Sequence, residues 1–119
     1  MNEQQRQIQE KCIAFAVKID ALRKALNKKH HEYNKADQID RSASAIGALY
    51  SEAMYAESEA DYVHKLGIAQ KEANETKYWL KVIYRCGYID DKLYESLVAD
   101  AEELYRIITA VIVSMKKKV

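Results

Sequence analysis

Proline is absent from this 119-residue sequence, glycine occurs only at Gly47, Gly67 and Gly87, and cysteine only at Cys12 and Cys86. A chain so poor in turn-forming residues does not read as a hairpin-rich β fold, and helix is favoured throughout. The cysteines lack C-x-x-C spacing, which argues against a disulfide framework or a zinc cage and reads as cytosolic thiols. No apolar run approaches the roughly 18 residues needed to span a bilayer. The opening Met-Asn-Glu-Gln-Gln-Arg is too polar for a secretory signal, so the cytoplasm is the expected location. Nor is there a charge excess: 19 basic against 18 acidic residues leave +1, and no overall field drives the chain to nucleic acid or membrane.

What is present is apolar periodicity. The length suits one domain, residues 1–119. Ile8, Cys12, Phe15, Ile19, Leu22 and Leu26 step by four and three, as on a helix that packs against others. This first helix is expected over about 3–30, with Lys28, Lys29 and His30 at its negatively polarised end. Asp37 is a plausible cap for a second helix over 37–56, with Ile39, Ala43, Ile46, Tyr50 and Ala53 on its seam. Gly47 costs that helix about 1 kcal/mol relative to Ala, and a close crossing is a reason to tolerate it.

Ser58 and Asp61 resemble a capping box opening a third helix, 59–86, with Leu66, Ala69, Ala73, Thr76, Leu80 and Ile83 inward. Gly87 supplies a stop. Asp90 or Asp91 caps a fourth helix, 91–117, whose stripe is Leu93, Leu97, Ala101, Leu104, Ile108, Val111 and Met115. A second stripe, Val98, Tyr105 and Ile112, makes this helix apolar over a wide arc. Either it carries a subunit interface or it sits deepest in the monomer. Short links favour an antiparallel up-and-down four-helix bundle.

Three local patterns are more specific than periodicity. They are Arg41-Ser42-Ala43-Ser44-Ala45-Ile46-Gly47-Ala48 running on to Glu52-Ala53, Asp61-Tyr62-Val63-His64-Lys65-Leu66-Gly67-Ile68-Ala69, and Lys71-Glu72-Ala73-Asn74-Glu75-Thr76-Lys77-Tyr78-Trp79-Leu80. In them the chain, from about Phe15 to Met115, resembles the 23S ribosomal RNA intervening-sequence proteins, often encoded in spacers of bacterial 23S rRNA genes. The resemblance implies a left-handed up-and-down bundle assembled as a cyclic homopentamer. It also implies a fold relation to nucleic-acid-binding accessory proteins of diversity-generating retroelements. Two departures stand out: relatives' Ala-Asn-Ile-Ala-Glu is replaced by Ala48-Leu49-Tyr50-Ser51-Glu52, and the near-neutral charge differs from the strongly basic nucleic-acid-binding relatives.

Chemistry is sparse by comparison. A di-metal bundle needs carboxylates from all four helices and two Glu-x-x-His pairs, whereas Asp61-x-x-His64 and Glu72-x-x-Glu75 supply an incomplete set. No phosphate loop or dinucleotide fingerprint occurs, and neither cysteine is placed by sequence beside an oriented histidine. The expectation is therefore no enzyme, no metal, no cofactor and no catalytic residue. Arg41, Glu52 and Glu75 read either as a polar motif fixing how helices 2 and 3 pack or as solvated charges.

Partners divide the same way. Residues 1–36 hold eight bases against four acids. The bases Lys24, Lys28, Lys29 and His30, with Lys116, Lys117 and Lys118, are the candidates for a nucleic-acid surface if the two clusters converge at one bundle end. Trp79, Val98, Tyr105 and Ile112 are the candidates for a homo-oligomer interface. The favoured reading is a non-enzymatic assembly or binding scaffold; the alternative is an RNA- or DNA-binding accessory protein.

Overall fold

The computed structural model describes residues 1–117, which form four α-helices and, among the described residues, no strand: α1 (Glu3–His30), α2 (Asn34–Ala53), α3 (Glu59–Arg85) and α4 (Asp91–Lys117). Three of the helices start where a side chain takes up a free backbone amide. At α1, Asn2 Oδ1 accepts from Gln5 N–H at 2.8 Å, and Gln5 Oε1 accepts from Asn2 N–H at 2.9 Å. At α3, Ser58 Oγ accepts from Asp61 N–H at 3.1 Å, but Asp61 reaches back one residue further than in a capping box, to Glu57 N–H at 3.2 Å. Asp90, not Asp91, caps α4 through Leu93 N–H at 2.8 Å.

The second helix departs from expectation at both ends. It begins at Asn34, three residues ahead of Asp37, and Tyr33 at the cap position makes no side-chain bond. Instead Glu32 Oε2 accepts from Lys35 N–H at 3.2 Å, a cap offered from outside the usual position. His31 stands in the left-handed conformation, φ 51°, and turns the chain from α1 into α2 with almost no connecting loop. At the other end α2 stops at Ala53 rather than near residue 56. Tyr55 N–H and Ala56 N–H bond to the carbonyls of Glu52 and Ala53, an i to i+3 pattern that tightens the last turn.

Each helix packs on its neighbours in sequence and α4 returns to α1, while the backbones of the diagonal pairs stay further apart. Directions alternate. Gln9 bonds to Ser51, Arg41 to Glu75, Gln70 to Thr109 and Lys18 to Asp100, so early residues of each helix face late residues of the next. The result is an antiparallel bundle about 48 Å long.

The seams close on one core, in which Ile19, Ile39, Ile46, Leu66, Leu80, Ile83 and Ile108 are fully buried; each such side chain contributes about 1.5–3 kcal/mol relative to exposure. Gly47 crosses α1 at Cys12, where a Cβ on the glycine would lie 2.9 Å from Cys12 Cβ. Burial pushes the Cys12 thiol up to about 11, leaving an unreactive core residue. On α4 the inward row is Leu97, Ala101, Leu104, Ile108 and Ile112; Leu93, expected on that row, is exposed, because it lies toward the open α1–α4 side.

Candidate functional site

The α2–α3 seam brings together most of the polar motif. Arg41 Nη2 donates to Glu75 Oε1 at 3.2 Å and to Gln38 Oε1 at 3.1 Å. Trp79 Nε1, one turn beyond Glu75, donates to the same Oε1 at 3.3 Å. One carboxylate thus ties an α2 guanidinium to the only indole. Arg41 is largely exposed, so the pair itself contributes at most about 1 kcal/mol.

Beneath it, the hydroxyls of Ser42 and Thr76 lie 2.9 Å apart in the core, flanked by the accepting carbonyls of Ile39 and Glu72. Neither hydroxyl is left unsatisfied in an apolar setting. Glu72 adjoins this cluster, and desolvation, followed by its hydrogen bond to Glu75, raises its carboxyl above the ordinary range. Glu52 does not join the motif. It lies near the far end of α2 and faces Lys65 at 3.9 Å.

The basic candidates do not converge. Because α1 and α4 run in opposite directions, Lys28, Lys29 and His30 sit at the end of the bundle that carries Tyr88 and Leu93. Met115 and Lys116 lie at the other end, near Glu59 and His64. A single patch built from both clusters is therefore ruled out within one chain. Lys24 pairs with Asp20 at 3.0 Å, while His30 packs against Tyr88 with ring centroids 4.6 Å apart. Lys118 lies outside the described residues.

The interface candidates also separate. Trp79 flanks the α2–α3 seam. Tyr105 faces the other side of α3, under the Lys77 ammonium at 4.8 Å from the ring centroid; Lys77 in turn reaches Glu102 at 3.0 Å. Val98 is half-buried against the core, and Ile112, 9% exposed, belongs to it. Of the second stripe of α4, Ile112 thus joins the core, while Val98 and Tyr105 are packed against it and stay half-buried.

Sequence reasoning missed the apolar side chains left outside. Ile13 and Val17 are 48% and 64% exposed and stand one turn apart on α1. Tyr78, 60% exposed, projects from α3 edge-on to Trp79 with centroids 5.2 Å apart. Their signal was available: all three fall off the seam spacing of their helices, where a charged residue is the ordinary choice.

Among the described residues no three or more His, Cys, Asp or Glu side chains gather as a metal site, and no helix is long and apolar enough to cross a membrane. Residues 4–110 match the family model described as 23S rRNA-intervening sequence protein. The fold is similar to the crystal structure of a protein of unknown function from the S23 ribosomal protein family of Bacteroides thetaiotaomicron VPI-5482. That chain is 42% identical, the match covers 88% of this chain and 97% of the other, and the TM-score is 0.86. No curated protein matches the chain.

Proposed function

Because the chain belongs to the 23S rRNA-intervening sequence protein family, we propose that it is a one-domain, non-enzymatic scaffold that assembles head to tail into a ring of identical subunits. A cytoplasmic setting agrees with its two free cysteines. Five subunits are the number that the family resemblance favours.

The observation that carries this reading is the placement of three exposed apolar side chains well inside α1 and α3; the other exposed ones, among them Tyr33, Tyr55, Leu93 and Val113, lie toward the bundle ends. Ile13 and Val17 lie exposed on α1, Tyr78 lies exposed on α3 beside the half-buried Trp79, and α1 and α3 occupy diagonal corners of the bundle. A closed ring needs two different, complementary patches on well-separated sides of each subunit, whereas a two-fold dimer needs one self-complementary patch. An aliphatic ridge opposite an aromatic pair meets the first requirement. Aromatic residues are also enriched at the centres of such interfaces.

Mixing two variants tests the geometry. Val17→Asp removes one patch and Tyr78→Asp the other, so each protein alone should fall to monomer mass by light scattering. Mixed, they should form a heterodimer through the one intact pair of faces and stop there. Continued monomer in the mixture, or an unchanged mass for either variant, contradicts the head-to-tail reading.

A second reading, binding of RNA or DNA, draws on Lys28 and Lys29, which have no acidic partner within 4 Å among the described residues, and on the neighbouring exposed Tyr33. Phosphate contacts release counterions, so retention on nucleic acid should fall steeply with salt and be lost in a Lys28→Glu, Lys29→Glu variant. Lys116 and Lys117 should act separately, being at the opposite end. Binding that is indifferent to both salt and these charges speaks against this reading.

A further inference from the structure

Of the four sides of the bundle, the one between α1 and α4 packs least closely. Near the end formed by the α3–α4 turn it opens into a cavity of about 560 Å³, within the roughly 300–1,000 Å³ of small-molecule sites. Small residues make the space: Ala21 and Ala25 on α1 face Leu93 and Leu97 on α4, with Leu22 beneath and Ile89 closing the end. These walls are aliphatic. The two rings at the mouth, Tyr88 and His30, pack on each other, and the Tyr88 hydroxyl also contacts Glu32 at 3.4 Å. A flat aromatic guest would compete with His30 for the Tyr88 ring.

Charge at the rim points the same way along its length. Lys18 is held by Asp100 at 2.8 Å, and Asp90 accepts from Leu93 N–H at the positively polarised start of α4, which offsets part of its negative charge. Lys29 has no carboxylate within 4 Å among the described residues and stands beside His30 at the mouth. An apolar slot with one uncommitted cation at its edge complements an apolar chain that ends in a negative group.

The geometry points to a binding site for a single-chain aliphatic carboxylate, with its chain laid along Ala21 and Ala25 and its head beside Lys29. The site does not use Tyr78, and its Ala21 lies one turn from Val17 on α1. Each methylene placed in the slot strengthens binding, so shortening the chain by two carbons should weaken it roughly tenfold.

The test is titration of the full-length protein with decanoate, below the concentration at which decanoate forms micelles, followed by calorimetry and amide chemical shifts. Saturable binding of one decanoate per chain is expected, with shifts concentrated at Ala21, Ala25 and Leu93. Decyltrimethylammonium, of equal chain length and opposite charge, should bind at least about tenfold more weakly. Lys29→Gln should weaken decanoate several-fold without altering thermal stability, and Ala25→Phe, which fills the slot, should abolish it. The lysine variant remains informative if the phenylalanine variant fails to fold. Absence of saturable binding, equal affinity for the cationic amphiphile, or full affinity in Lys29→Gln overturns the proposal. So does a folded Ala25→Phe variant that changes the oligomer mass yet still takes decanoate, because the slot would then be filled by protein.

Discussion

Gly47 and Cys12 stand so close across the α1–α2 crossing that a methyl group on the glycine would lie 2.9 Å from Cys12 Cβ. That atom is fixed to the backbone and cannot rotate away. Gly47→Ala should therefore destabilise the fold, since overpacking of about 1–3 kcal/mol outweighs the ~1 kcal/mol gained in helix propensity. Adding Cys12→Ala should bring no relief, because it keeps the Cβ; adding Cys12→Gly should restore part of the loss. Chemical denaturation of six proteins, the parent, Gly47→Ala, the two Cys12 single variants and the two doubles, reads this as a coupling, and equal couplings for the two Cys12 substitutions would contradict the contact.

Thr76→Val keeps the shape of the buried side chain but removes the hydroxyl shared with Ser42, 2.9 Å away. A loss of about 1 kcal/mol is expected. Ser42→Ala should cost a similar amount, and the double variant less than the sum, because each single change already breaks the shared bond. Strict additivity in the unfolding free energies would show that the hydroxyls act independently.

Glu72 should make the fold less stable as pH rises. Its folded-state carboxyl is raised above the unfolded value by desolvation and by Glu75, so its favourable contribution is complete below the unfolded value and is lost as pH climbs through the folded one. Asp20 and Glu32 act in the opposite sense, being lowered by Arg23 and Lys35 respectively, but they are common to both proteins. Glu72→Gln should therefore gain stability relative to the parent between about pH 4 and pH 7. The gain should stay under about 1 kcal/mol at this partly exposed position. A difference that shrinks over the same range in paired thermal melts would reverse the sign of the argument.

The inward faces were legible residue by residue because a four-and-three spacing has a direct geometric meaning on a helix. Ile8 through Leu26, Ile39 through Ala53 and Leu66 through Ile83 occupy the core as read. The start of α2 was not legible: its cap comes from Glu32, three residues ahead of the amide it serves, rather than from an Asn, Asp, Ser or Thr at the boundary. On the polar motif, Arg41 and Glu75 could be paired from sequence because the antiparallel turn brings the middles of α2 and α3 together. Glu52 could not be excluded without knowing the register, which sets it opposite Lys65. The convergence of the two basic clusters failed for the same kind of reason: chain direction, which composition does not carry, sends them to opposite ends. The wide apolar arc of α4 places Ile112 in the core and leaves Val98 and Tyr105 half-buried against it, while Ile13 and Val17, off the seam of α1, are exposed.

The most direct test of the assembly account is the solution mass of the unmodified protein by light scattering at micromolar concentration. The account predicts one species at five times the 13.7 kDa of the chain, constant on dilution toward the lower end of that range. A monomer mass throughout, or a two-subunit species, would contradict a closed head-to-tail ring of five.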